Sequence, residues 1–147
     1  MMADYFCGKI EVPRKYAETP EIKEMLEEHF EDVDVCFCLG FHAPASDKVL
    51  EFADNGARYG EFPELEKFLV EHKIPFDRYS TSHYEYEPKV ASYRPERGEV
   101  VVSTANLNGN KIVEAKEVWK FVNKNDMEGL RKFLDDTAPM PKPLEDY

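Results

Sequence analysis

The sequence predicts an α+β fold, in which amphipathic helices cover a sheet. Short β-branched or aromatic runs that end at Pro, Gly or Asn predict strands, and apolar residues spaced by three and four predict helices. Over residues 4–80 these elements follow the ferredoxin-like βαββαβ order. A β-hairpin and two helices extend this unit toward the C-terminus. We expect a single domain over residues 1–138 and a Pro-rich acidic tail over residues 139–147.

The first strand and helix have clear sequence signals. Ile10 and Val12 alternate with polar residues before Pro13, which predicts a strand from residue 5 to residue 12. Thr19-Pro20 predicts a helix start, because a threonine hydroxyl can cap free amides and proline suits the first helical position. The apolar stripe of this helix comprises Ile22, Met25, Leu26, His29 and Phe30.

The rest of the βαββαβ unit follows from the same patterns. The run 33–41 is almost uncharged and predicts a central strand, and 48–53 predicts the next strand, ending at the turn signal Asp54-Asn55-Gly56. A second amphipathic helix is predicted over 63–73 and a short strand over 74–79. The inner face of this helix comprises Leu65, Phe68, Leu69 and His72.

The C-terminal part predicts a hairpin and two helices. Asn108-Gly109 is a strong hairpin signal and pairs a strand over 99–104 with residues 111–113. A helix over 114–123 should bury Ala115, Val118, Trp119 and Val122, and Asn125 should cap a last helix over 126–135. Residues 81–98 fit either an edge strand or an ordered loop. The prolines after residue 138 predict an extended segment that trails over the surface.

Charge is unevenly distributed along the chain. The formal net charge is -11, and residues 1–47 carry 11 Asp and Glu against 4 Lys and Arg. Such a field repels phosphate backbones, so direct nucleic-acid binding is not expected, and a protein partner with a basic surface is. The candidate binding face lies on the first predicted helix. It comprises Glu21, Glu24, Glu27, Glu28, Glu31 and Asp32.

A second candidate surface is rich in tyrosine and arginine. Both residue types are frequent in interface hot spots, because each presents a large area or several donors from a stiff frame. An alternative is that the tyrosines cover the sheet with their hydroxyls in water. The candidate residues are Arg78, Tyr79, His83, Tyr84, Tyr86, Tyr93 and Arg94.

Two further readings involve chemistry. His83 with Arg78 or Arg94 could serve a small enzyme or a small-ligand-binding protein, although no nucleophile elbow, phosphate loop or dinucleotide glycine pattern accompanies them. Cys36 and Cys38 alternate along a predicted strand, and with His42 and Cys7 they could form a structural zinc site. The backbone amides of a turn usually support the sulfurs of a zinc site, and a strand lacks that support. Buried cysteines also act as small apolar residues. No cofactor is expected.

Several features bear on location and assembly. The sequence contains no uncharged apolar run of about 18 residues and no signal-peptide pattern, so we expect a cytoplasmic protein that does not enter a membrane. Three cysteines in such a protein predict free thiols. The oligomeric state stays open, a homodimer included.

Three stretches carry a resemblance to other proteins. They are 57–66 (ARYGEFPELE), 74–80 (IPFDRYS) and 93–95 (YRP). In these stretches the chain resembles small uncharacterised proteins encoded on phages, plasmids and other mobile genetic elements. The resemblance implies a role in conflict with the host or in maintenance of the element, and it implies no site residue.

These observations favour a non-enzymatic, acidic protein-binding module. In this interpretation the protein is an inhibitor or nucleic-acid-mimicking decoy encoded by a mobile element, and it acts on a basic host protein. The small enzyme built on His83 and the metal-binding protein built on Cys36, Cys38 and His42 remain the alternatives.

Overall fold

The computed structural model describes residues 5–29, 48–58, 61–80, 87–106 and 108–147. Within these ranges the fold is α+β, as predicted, with a five-stranded antiparallel sheet and five α-helices. The strands are β1 (Tyr5–Pro13), β2 (Val49–Arg58), β3 (Phe76–Ser80), β4 (Lys89–Tyr93) and β5 (Val100–Thr104). The helices are α1 (Arg14–Ala17), α2 (Pro20–His29), α3 (Pro63–Glu71), α4 (Ala115–Asn123) and α5 (Met127–Thr137), and a 3₁₀ turn covers Leu144–Asp146.

The sheet has the strand order β2-β1-β3-β4-β5. β1 therefore lies between β2 and β3, and β4 lies between β3 and β5. Residues 81–98 were predicted to form either an edge strand or an ordered loop. Within this stretch Lys89–Tyr93 form β4, which lies inside the sheet and not at its edge. The strand predicted over 33–41 lies outside the described residues, so the ferredoxin-like order stays a prediction.

The pairing of β1 with β2 corrects one predicted turn. β2 continues through Asp54-Asn55-Gly56 to Arg58, although these residues were expected to end the strand. The register shifts where Phe6 pairs with Ala57 and Gly8 pairs with Asp54, so β2 has one residue more than β1 in this interval. A β-bulge accommodates such an extra residue within a ladder, and it takes up the residues that otherwise favour a turn.

The hydrophobic core lies between one face of the sheet and helices α1, α2 and α3. Ile10 and Val12 project to this face, as their alternation predicts. The inner stripes of the two longer helices are confirmed at Ile22, Leu26, Leu65 and Leu69, while Met25 and Phe68 are partly buried. His72 was expected inside this stripe but is exposed at the end of α3.

The local signals that start and end the helices are only partly those predicted. α2 begins at Pro20, but the Thr19 hydroxyl donates to the carbonyl of Tyr16 at 2.6 Å, at the end of the short helix α1. Lys73 follows α3 with a φ of 56°, in the left-handed region where a helix commonly terminates. Pro75 then prevents the helix from continuing.

The predicted C-terminal hairpin is reduced to a turn with one bridge. The Asn106 side chain accepts hydrogen bonds from the backbone N–H groups of Asn108 and Asn110, at 2.9 and 3.0 Å. Beyond it, Ala105 pairs with Lys111 as an isolated bridge, and residues 111–113 are not a strand. β5 pairs instead with β4.

The last two helices were located correctly, but their details differ from the prediction. Asp126, not Asn125, caps α5, and its carboxylate accepts from the N–H of Gly129 at 2.9 Å. The expected inner face of α4 is largely exposed, since Trp119 is 57% and Val122 is 45% exposed. α4 packs mainly on α5 and not on the sheet, through contacts such as Phe121 against Phe133.

The C-terminal segment after residue 138 packs on the domain, although it was expected to trail over the surface. Pro139 is buried, and Leu144 in the 3₁₀ turn is only 5% exposed. The 3₁₀ turn contacts β1, so this segment crosses much of the sheet. None of the helices in the described ranges is long and apolar enough to cross a lipid bilayer.

Candidate functional site

The acidic face of α2 comprises four glutamates in the described residues. With 3.6 residues per turn, Glu21, Glu24, Glu27 and Glu28 fall within an arc of about 120°. All four are exposed. Ile22 and Leu26 point the opposite way into the core, so packing fixes which side of the helix carries the carboxylates. Glu31 and Asp32, the other predicted members, lie outside the described residues.

Among the described residues, few cations neutralise this face. Lys23 lies 3.9 Å from Glu27, one helical turn away, and both side chains are more than 60% exposed. Glu21 lies 3.3 Å from Nε2 of His72 at the end of α3. Exposed pairs of this kind contribute little energy, because water screens them and the side chains remain mobile. Within the described residues, no ion pair involves Glu24 or Glu28.

Arg78 is an internal structural residue. It is only 5% exposed, and its Nε donates to Glu66 of α3 at 3.0 Å. The other carboxylate oxygen of Glu66 accepts from the backbone N–H of Phe62 at 2.8 Å. Arg78 Nη1 donates to the hydroxyl of Ser80 at 2.7 Å. The arginine therefore ties β3 to the start of α3.

Arg94 is also 5% exposed, and it lies on the opposite side of the sheet. Its Nη1 and Nη2 donate to the two carboxylate oxygens of Asp77, at 2.9 and 3.1 Å. Nη1 also lies 3.1 Å from the carbonyl of Phe76 and 3.0 Å from that of Tyr93. Nε donates to the carbonyl of Lys142 at 2.8 Å, which attaches the C-terminal segment to the sheet.

The predicted tyrosine and arginine surface is not one exposed surface in the described residues. Tyr93 is in the core, and its hydroxyl donates to the carbonyl of Val70 at 3.4 Å. Arg78 and Tyr79 are consecutive residues of β3 and face opposite sides of the sheet. His83, Tyr84 and Tyr86 lie outside the described residues. The small enzyme or ligand site proposed for His83 with Arg78 or Arg94 stays a prediction, because the structure does not describe His83; the two arginines lie on opposite sides of the sheet.

The sheet face opposite the core carries a polar cluster that the sequence-based interpretation missed. Lys9 is 3% exposed, and its Nζ lies 3.3 Å from Glu11 and 3.4 Å from Glu51. The same ammonium lies 5.0 Å from the centre of the Tyr79 ring. The sequence does contain a signal for this polar cluster. Other positions alternate with Ile10 and Val12 on β1, and with Phe76 and Arg78 on β3, and their side chains share the opposite face of the sheet.

Burial changes the acidity of two groups in this cluster. It raises the pKa of Glu11 above its ordinary value of 4.5, and the nearby Lys9 opposes part of this rise. Burial also raises the pKa of Tyr79, and the carboxylates of Asp77 and Glu11 add to the effect. The phenol therefore remains neutral and can donate a hydrogen bond.

An open cleft lies beside this cluster, between the sheet, the turn around Gly109 and the C-terminal segment. Its volume is about 570 Å³, and it is lined by both polar and apolar side chains. The polar ones include Asp77, Tyr79, Ser92, Arg94 and Lys111. No sequence signal pointed to Lys111, because only the folded chain brings it to β3 and β4.

The structure does not test the proposed zinc site. Cys36, Cys38 and His42 lie outside the described residues, and so does the side chain of Cys7. Elsewhere, in the part of the chain that the structure describes, no group of three or more His, Cys, Asp or Glu side chains is placed to hold a metal ion.

Comparisons with known proteins do not extend these observations. No family model, no curated protein and no solved structure matches this chain.

Proposed function

We propose that this protein is a non-enzymatic, acidic binding module that docks on a basic protein through the outer face of α2. The observation that carries the proposal is the exposed arc of Glu21, Glu24, Glu27 and Glu28 on a helix whose other side is fixed in the core. A fixed helix presents its carboxylates without the entropy cost of ordering a loop. The partner is proposed to be cytoplasmic.

Electrostatic attraction explains why such a face would select a basic partner. A net charge of -11 attracts cations over a distance, and the uneven placement of the charge orients the approach. Complementary charge mainly increases the association rate and excludes wrong partners. Four carboxylates over the roughly 10 Å between residues 21 and 28 approach the charge density of duplex DNA, which has about one charge per 1.7 Å.

The finer form of the proposal is a decoy that occupies the nucleic-acid site of a host protein. The density of charge on α2 supports it, as does the resemblance to proteins of mobile genetic elements. In this form the partner binds either this protein or duplex DNA, but not both. Competition between the two ligands for one purified partner therefore separates a decoy from an ordinary acidic binding module.

The ferredoxin-like order is part of the same proposal. The pairing of β1 supports it. β1 pairs antiparallel with β2, the strand before α3, and with β3, the strand after α3. Residues 33–41 would then pair with the outer edge of β2. An experimental structure in which these residues pair elsewhere, or form a helix, would refute this part.

The test of the binding face compares two variants of equal charge. One replaces the face by Glu21→Gln, Glu24→Gln, Glu27→Gln and Glu28→Gln. The control carries Glu64→Gln, Glu71→Gln, Glu87→Gln and Glu128→Gln, at four exposed positions outside α2. Proteins from the native host that bind the immobilised wild-type chain are identified first, and one is purified for kinetic measurements.

We expect the face variant to associate about tenfold more slowly at low salt, because the local field that steers the partner is lost. The control variant should keep most of the wild-type rate, although its net charge is the same. The proposal fails if both variants lose binding equally, which would leave only net charge, or if neither variant loses binding.

A further inference from the structure

The cleft next to β3 and β4 contains an ammonium group, that of Lys111, that pairs with no carboxylate of the described residues. Lys111 Nζ donates to the carbonyl of Pro139 at 2.7 Å, and no ion pair joins it to a carboxylate of the described residues. One neutral acceptor leaves two of its three hydrogens available. The side chain is partly buried, so water does not fully solvate the charge.

The other charges around the cleft do not neutralise Lys111. Asp77 is the acidic residue of the lining, and Arg94 holds both of its oxygens. Arg97, farther along, is paired with Glu99 and Asp135 at 3.2 Å each. Burial lowers the pKa of Lys111, and the positive charges of Arg94 and Arg97 lower it further, while Asp77 opposes them. The described residues that line the cleft therefore carry one positive charge in excess.

The remaining lining defines the shape and polarity of a ligand. Val90 and Val113 lie on the sheet and turn sides, and Leu134, Pro139 and Met140 lie on the side of α5 and the C-terminal segment. Hydroxyl groups of Tyr79 and Ser92 add hydrogen-bonding capacity near the floor. A volume of about 570 Å³ falls in the usual range of small-molecule sites, which combine apolar walls with a few polar groups.

We propose that this cleft binds a small organic carboxylate, with the carboxylate on Lys111 and the apolar body against Val90, Val113 and Leu134. This site is separate from the acidic face of α2 and adds a second activity to the proposed function. A carboxylate supplies the counter-charge that the described lining lacks, and a charge-assisted hydrogen bond to a partly buried ammonium is stronger than one in solvent. The apolar part of such a ligand packs against the apolar side chains of the cleft, and it has no polar groups that would be left unpaired.

The first experiment titrates benzoate into the full chain and follows backbone amide signals by NMR. Acetate tests the need for an apolar body, benzyl alcohol tests the need for charge, and inorganic phosphate tests for general anion binding. We expect saturable shifts at Asn110, Lys111 and Ser92 with benzoate, and much weaker effects of the other three. Equal binding of phosphate or of benzyl alcohol would overturn the proposal.

A pair of variants then tests the role of Lys111. Lys111→Gln should weaken benzoate binding by about tenfold or more, which corresponds to the loss of one charge-assisted hydrogen bond. Lys116→Gln, at an exposed position of α4, makes the same change in net charge and should leave binding within about twofold. Equal effects of the two variants would contradict the assignment.

A measurement on the wild-type protein covers the case in which Lys111→Gln does not fold. The pKa of Lys111 can be followed by the carbon signal next to its ammonium group, with and without saturating benzoate. A bound carboxylate stabilises the charged form, so the pKa of Lys111 should rise. An unchanged pKa at saturation would show that benzoate binds elsewhere.

Discussion

Removal of one partner from the bidentate pair of Arg94 and Asp77 is expected to destabilise the fold strongly. The side chains are 6% and 15% exposed, and two hydrogen bonds of 2.9 and 3.1 Å join them. Arg94→Met leaves the Asp77 carboxylate without its counter-charge in a mostly buried place. Breaking such a pair from one side costs about 3–5 kcal/mol. That is a large share of the roughly 5–15 kcal/mol that holds a domain folded.

Urea denaturation followed by circular dichroism measures this loss. At an m-value of about 2 kcal/mol/M, a loss of about 4 kcal/mol lowers the unfolding midpoint by about 2 M. Arg97→Met is the control, because Arg97 pairs with carboxylates that are more than half exposed. Such pairs contribute about 1 kcal/mol or less.

A double-mutant cycle separates the pair from the rest of the Arg94 contacts. Asp77→Asn should cost less than Arg94→Met, because the arginine keeps the carbonyls of Phe76, Tyr93 and Lys142 as acceptors. In the double variant no unpaired carboxylate remains, so its loss should be smaller than the sum of the single losses by about 1–3 kcal/mol. Additive losses, or an Arg94→Met loss no larger than that of Arg97→Met, would refute the reasoning.

Two further predictions concern stability. Burial raises the pKa of Glu11 in the folded state, so the folded state favours the protonated side chain. The contribution of Glu11 to the free energy of unfolding is therefore complete below pH 4.5, and it is lost as the pH rises through the higher folded-state pKa. The unfolding free energy of the wild type should therefore fall relative to Glu11→Gln between pH 4.5 and 7 in urea titrations, and a constant difference would contradict this. Gly129→Ala should give little of the usual gain of about 1 kcal/mol, because the new Cβ would collide with the capping Asp126 carboxylate. In an Asp126→Ala background, thermal unfolding should show that gain; its absence there would mean that the cap is not the obstacle.

Local patterns predicted α2 and α3 correctly because burial followed the same periodicity. Ile22 and Leu26 on α2, and Leu65 and Leu69 on α3, are spaced for one helical face, and all four are in the core. The failures come from competition between local signals and longer-range pairing. Asp54-Asn55-Gly56 favours a turn by composition, but the ladder with β1 holds it in β2 through a bulge.

The candidate sites were less predictable because they depend on which elements meet in space. Four members of the acidic face follow directly from helical spacing, and this is why the sequence identified them. Arg78 and Tyr79 are adjacent in sequence, but the period of a strand sends them to opposite faces of the sheet. Lys111 reaches the cleft only because the turn after β5 and the C-terminal segment fold over β3 and β4.

The two proposed sites should respond to salt in opposite directions. Dissolved salt screens the long-range field of a chain with a net charge of -11, and it affects short contacts in a partly buried cleft less. A basic protein partner is attracted by that field, whereas benzoate must approach against it. Raising the ionic strength from about 0.01 to 0.15 M should therefore slow association of the protein partner and speed association of benzoate.

Stopped-flow measurements for the protein partner and NMR line-shape analysis for benzoate give the two rates. The E21Q/E24Q/E27Q/E28Q variant should reduce the salt effect on the protein partner more than the effect on benzoate, because the cleft experiences the charge of the whole molecule and the partner experiences mainly α2. If both rates fall together with salt, local positive charge and not the net charge of the chain dominates the approach of benzoate, and the prediction for the cleft is wrong. If both rates rise, the acidic face of α2 does not guide the protein partner.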